Sequence, residues 1–144
     1  MKKIFILFCC FFLCCGLYAQ QLPLPLPLPL EKKIENMWLK PTYNQIIELL
    51  DTRVQINLYE LPQRFFPKVP ASTILQDYLN KIYIIKLKYI QRKKQCPKQK
   101  FFSYEYEYII KKNGRKQCSI LYFYISKTDK IETIQEVAKM KEQY

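Results

Sequence analysis

Glu105 and Glu107 stand two residues apart in a run of aromatic and β-branched residues. On a strand, side chains at i and i+2 share one face and lie roughly 7 Å apart. Two carboxyl groups at that separation suit an inverting glycoside hydrolase, in which one protonates the leaving group and the other activates water. The plainer reading is an exposed strand face neutralised by nearby lysines. The rest of the chain offers little catalytic support. It has no histidine, which removes the commonest general base and the commonest zinc ligand. Its two glycines are Gly16 and Gly114, too few for a phosphate-cradling loop. No serine sits in a recognisable nucleophile motif. The expectation is therefore a protein with no catalytic centre, no cofactor and no metal, with glycan hydrolysis through Glu105 and Glu107 as a remote alternative.

Basic residues are the other candidates for binding. The chain carries 24 Lys and Arg against 12 Asp and Glu, a net charge of +12. Two clusters stand out: Arg92, Lys93, Lys94, Lys98 and Lys100, and then Lys111, Lys112, Arg115 and Lys116. Such charge favours anionic partners such as acidic lipid headgroups, polyanionic glycans or nucleic acid. Most of it is Lys rather than Arg, whose planar fork reads phosphate bidentately. A compositional origin with no dedicated polyanion site is thus the competing reading.

The first twenty residues act as a filter on these candidates. Lys2 and Lys3, an apolar run over residues 4–17 and then Tyr18-Ala19-Gln20 form the pattern of a secretory signal peptide. The run is about fourteen residues, short of the roughly 20 a membrane-spanning helix needs. Residues 1–19 are read as the leader, with cleavage after Ala19. Lipidation is disfavoured because Cys14 follows Leu13 rather than a small residue. Removing the leader leaves a charge of +10 and two cysteines, Cys96 and Cys118. Export to the periplasm or medium disfavours nucleic acid and makes a Cys96–Cys118 disulfide conceivable. A strand starting at Phe101 would put Cys118 too far along the hairpin from Cys96, whereas one starting only near Tyr104 would let the loop fold back and close the gap; free thiols or an intermolecular bond are the alternatives.

The elements that must position these residues follow from periodicity. Residues 22–30 read LPLPLPLPL, which favours an extended polyproline rod; residues 20–30 are taken as a tail or spacer before one domain over residues 31–144. Ile34, Met37 and Trp38 share a helical face that Pro41 closes. Thr42 and Gln45 have capping-box spacing before Ile46, Ile47, Leu49 and Leu50. Val54, Ile56 and Leu58 alternate with Gln55 and Asn57 as in a half-buried strand. Pro62, Pro67 and Pro70 read as bounding a loop that contains Phe65 and Phe66, and Thr73 with Gln76 as capping the next helix.

Residues 81–92 read as a strand in preference to a continued helix. Asn113-Gly114 between residues 101–112 and 115–126 is a hairpin signal. A two-residue loop would place Tyr104 opposite Phe123, Tyr106 opposite Leu121 and Tyr108 opposite Ser119, on the core face. The segment 130–137 fits either a helix or a last strand.

Short helices followed by a β-meander curled around a helix define an α+β domain. In element order it is similar to cystatin-like and NTF2-like domains. The central Gln-Val-Gly type loop of protease-inhibiting cystatins is absent, and such folds host many unrelated functions. The functional expectation is an exported, small, non-catalytic binding or accessory domain that contacts a protein or an anionic envelope component. The alternative is a secreted inhibitor-like or structural protein whose charge is compositional.

Overall fold

The computed structural model describes residues 26–90 and 99–139. Residues 1–25, 91–98 and 140–144 lie outside it, and with them the leader, the start of the Leu-Pro repeat, Arg92, Lys93, Lys94, Lys98 and Cys96. Two helices open the described chain: α1 (Leu30–Leu39) and α2 (Tyr43–Leu49). Pro29, at φ −57° and ψ 152°, precedes α1 in the polyproline region. Its carbonyl accepts from the amides of Lys32 and Lys33. The last leucine of the repeat thus already belongs to a helix. Ile34, Met37 and Trp38 are fully buried, one stripe at helical spacing. Thr42 caps α2, its hydroxyl accepting from the Gln45 amide.

Strands β1 (Leu50–Leu58) and β2 (Leu61–Pro67) form a hairpin. Helix α3 (Lys68–Asn80) follows without a break, and β3 (Ile82–Tyr89), β4 (Lys100–Ile110), β5 (Lys116–Ile125) and β6 (Ile131–Ala138) complete the chain. Among the described residues these strands form one sheet in the order β2-β1-β6-β5-β4-β3. Every neighbouring pair is antiparallel except β1 and β6, which run parallel. Interrupted registers, including the extra Ile85 between Ile84 and Lys86, bend the sheet. The helices pack in its hollow. Trp38 meets Phe123 edge-on at 5.2 Å between ring centroids, and the Tyr104 hydroxyl donates to the Glu31 carbonyl at 2.8 Å, tying β4 to α1.

Three expectations need correction. The proline-bounded stretch is strand β2 running directly into α3, not a loop. Pro62 and Pro67 sit on an edge strand, where a missing N–H costs no ladder bond, and Pro70 sits in the first turn of α3, where amides lack intrahelical partners in any case. The helix consequently starts at Lys68, five residues before the expected Thr73 cap. The Thr73 hydroxyl instead bonds back to the Val69 carbonyl from inside the helix.

The third correction concerns the hairpin. Tyr104 pairs with Leu121, Tyr106 with Ser119 and Tyr108 with Gln117. The loop spans residues 111–114 rather than 113–114: Ile110 and Arg115 bracket it, and the Gly114 amide bonds the Ile110 carbonyl. A two-residue type I′ loop needs positive φ at both positions. Here Gly114 has φ +68° and Asn113 does not; the Asn113 side chain instead accepts from the Arg115 amide. The slip is two residues, so the faces are kept. Tyr104, Tyr106, Tyr108, Leu121 and Phe123 all point inward and are fully buried. Residues 82–89 and 131–138 are both strands.

Candidate functional site

The two carboxylates with hydrolase-like spacing lie on the outer face of the sheet, away from the helices. Glu105 bonds Lys86 and lies 3.9 Å from Lys139, and Glu107 is 3.3 Å from Lys116. The hydrogen bond from Lys86, reinforced by the Lys86 and Lys139 charges, holds the Glu105 carboxyl below its usual range. A general acid needs the opposite shift. The pair belongs to a lattice of strand-face ion pairs.

The hairpin tip carries Lys111, Lys112, Arg115 and Lys116, all exposed. Lys100 stands at the other end of β4, where it pairs with Asp129 at 3.3 Å. Cys118 is an exposed free thiol on the outer face, opposite Glu107.

The tip has a second role that its sequence does not advertise. The Lys111 ammonium donates to the Asn80 carbonyl at 2.9 Å, and its amide to the Lys81 carbonyl at 3.0 Å. The Arg115 guanidinium donates to the Tyr59 hydroxyl at 3.3 Å. These bonds fasten the tip beside the mouth of a cavity of about 270 Å³. Tyr59, Glu60 and Leu61 from the β1–β2 turn line one side of it. Ile74, Asp77 and Tyr78 from α3, then Lys81 and Ile82, line another. Tyr108 and Ile110 from β4 form the floor. Glu60, whose φ of 65° closes the two-residue turn, is exposed, as are Asp77 and Lys81. Among the described residues none of these three makes an ion pair or a side-chain hydrogen bond.

Behind the floor lies Glu136, the residue that sequence reasoning missed. One carboxylate oxygen accepts from the Tyr108 hydroxyl at 2.8 Å and the Ser119 hydroxyl at 2.7 Å. The other accepts from the Tyr59 amide at 3.1 Å and the Tyr78 hydroxyl at 3.5 Å. A half-buried anion is held by such partners. The signal for it was parity: on a strand whose Ile134 faces inward, Glu136 faces inward too. That signal existed only once 131–138 was known to be a strand.

Burial, the nearby tyrosines and the Glu136 charge push the Tyr78 hydroxyl well above its ordinary range; burial does the same to Tyr108, Tyr106 and Tyr104. These hydroxyls are neutral donors at neutral pH. They are committed to Glu136 at Tyr78 and Tyr108, whereas the Tyr106 hydroxyl and the indole N–H of Trp38 have no hydrogen-bond partner among the described residues.

No protein-family profile matches the chain, and no curated protein does. Solved structures do resemble it. An uncharacterised bacterial protein with a cystatin-like fold from Silicibacter pomeroyi superposes with a TM-score of 0.60 at 12% identity, over 85% of this chain and 78% of that one. An NTF2-like protein of unknown function from Cytophaga hutchinsonii gives 0.59 at 8% identity, over 81% and 95%. A protein from Pseudomonas putida named as a candidate polyketide cyclase gives 0.55 at 10% identity, over 77% and 90%. The architecture is therefore that of NTF2-like and cystatin-like domains, as the element order implied. At these identities the likeness concerns fold and carries no activity across. Among the described residues no helix is long and apolar enough to cross a membrane.

Proposed function

We propose that this chain is an exported, non-catalytic binding domain that holds a small, largely apolar ligand in the cavity between α3 and the sheet. The observation that carries this reading is the cavity itself: aliphatic and tyrosine walls, with its charged lining residues all exposed. Ligand sites are typically concave and mostly apolar with a few placed polar groups. A volume of about 270 Å³ suits a ligand of one or two rings. The non-catalytic reading rests on the carboxylate behind the cavity floor being engaged. Glu136 spends both oxygens on the protein's own donors, and the two carboxylates that line the cavity, Glu60 and Asp77, are exposed rather than enclosed. The candidate-cyclase name of one fold neighbour points the other way, but its resemblance is one of fold.

The exposed cations of the hairpin tip, next to the cavity mouth, are the surface that would meet an anionic envelope component. Export rests on the leader pattern, and mass spectrometry of secreted or periplasmic protein starting near Gln20 would test it.

The test of the cavity uses the neutral fluorophore N-phenyl-1-naphthylamine. Saturable one-to-one binding is expected, and Ile74→Trp, which fills the cavity from α3, should weaken it about tenfold, a loss of roughly 1.4 kcal/mol, without lowering the melting temperature. Binding unaffected by Ile74→Trp would place the probe elsewhere and remove the support for this reading.

A further inference from the structure

We infer that the ligand of this cavity carries a positive charge: an organic ammonium with an apolar body. The inference rests on the cavity being the binding site. It starts from a contrast of charge. The chain as a whole is +12, yet the cavity lining holds two carboxylates, Glu60 and Asp77, against one ammonium, Lys81. A third carboxylate, Glu136, sits one hydroxyl behind the wall through Tyr78 and Tyr108. Lys111 and Arg115 stand close by and keep their charges on the Asn80 carbonyl and the Tyr59 hydroxyl, but neither residue lines the cavity, so the contrast is one of the lining itself.

The walls agree with the charges. Tyr59 and Tyr78, from two different elements, leave ring surface at the lining, over the fully buried Tyr108, and a cation over the face of a neutral aromatic ring is attracted by the ring quadrupole. Tyr78 is neutral at neutral pH, as tyrosines ordinarily are, and burial moves its ionisation further away. Glu60 and Asp77 are without partners among the described residues, so an incoming ammonium meets them without first breaking an ion pair. A cluster of rings with two free carboxylates at its mouth is complementary to an ammonium whose substituents are apolar. An anion entering the same mouth would face Glu60 and Asp77 with Lys81 alone in its favour at the lining.

Three probes of matched size separate the outcomes by isothermal titration and by competition with the neutral fluorophore: benzyltrimethylammonium, its uncharged carbon isostere neopentylbenzene, and phenylacetate. The expectation is that benzyltrimethylammonium binds about tenfold more tightly than neopentylbenzene, the scale of a partly desolvated cation–π contact with a nearby carboxylate. In the Glu60→Gln/Asp77→Asn variant that preference should fall to about twofold while affinity for neopentylbenzene is unchanged, and in Lys81→Ala it should grow. Equal or tighter binding of neopentylbenzene, or tightest binding of phenylacetate, overturns the cation inference and leaves the cavity reading intact. Failure of all three probes and of the fluorophore overturns both.

Discussion

Glu136 shows how a single side chain can set the behaviour of a wall. Four donors from the β1–β2 turn, α3, β4 and β5 converge on its two oxygens. Removing it leaves the Tyr59 amide and the Tyr108 and Ser119 hydroxyls facing one another without an acceptor. Glu136→Leu is expected to destabilise the fold by about 2–4 kcal/mol, and Glu136→Gln, which keeps one acceptor, by about half as much. Urea unfolding checks this, and a midpoint unchanged in Glu136→Leu would show that the knot contributes nothing.

Cys118 makes a second prediction at the same scale. It lies opposite Glu107, about 23 Å along β4 from Lys100, while the step from Cys96 to Lys100 spans at most ~14 Å. The remaining gap exceeds the roughly 7 Å between Cα atoms that a disulfide bridges. Cys118 should therefore react with iodoacetamide in the native monomer. A Cys96–Cys118 linked peptide recovered from non-reduced monomer would refute this.

The elements were legible wherever one face is apolar and the other polar. The stripe of Ile34, Met37 and Trp38, the alternation through Val54, Ile56 and Leu58, and the inward tyrosines of β4 are all visible in the order of residues. They are buried as that order implies. Proline misled where its position relative to a partner mattered. Pro62 and Pro67 are compatible with a strand only because β2 is an edge, and no local pattern states which strand will be at the edge. The hairpin erred in loop length and kept its faces, because a slip of two preserves side-chain parity. Gly114 remains the residue on which the turn depends, as its φ of +68° disfavours any Cβ. Nothing lies within 4 Å of a Cβ built there, so the cost is one of backbone alone. Gly114→Ala should lower stability by about 1 kcal/mol, measured by urea unfolding. A change below ~0.3 kcal/mol would mean that the loop adapts to a different turn.

At the scale of the molecule, the tyrosine-rich core ties stability to alkaline pH. Burial raises the ionisation of Tyr78, Tyr104, Tyr106 and Tyr108 above the value near 10 that they have when unfolded. Below pH 10 both states hold these protons and the full stability is present. Above it the unfolded state releases protons that the folded state keeps, so stability falls as pH rises. The urea midpoint should be nearly flat from pH 6 to 9 on this account and drop steeply beyond about pH 10. Ultraviolet absorbance should show the core tyrosines ionising together with unfolding. A gradual titration of every tyrosine near pH 10 with the fold intact would contradict this account.

Composition and periodicity by themselves determined the leader-like composition of the first twenty residues, the charge, the absence of histidine, the helix stripes and the faces of the hairpin. These properties depend on residues near one another in the chain, or on a repeat of 2 or 3.6 that local backbone geometry imposes. The cavity was decided only in three dimensions. Its walls come from the β1–β2 turn, the C-terminal half of α3 and the end of β4, residues 59 to 110. Its supporting carboxylate comes from residue 136, on the strand that β1 joins in parallel. Glu105 and Glu107 had the more suggestive spacing, yet they face away from the helices. Glu60, Asp77 and Glu136 have no spacing that marks them. They gather at one site because a bent sheet brings distant strands around a helix, and local sequence does not encode that long-range pairing.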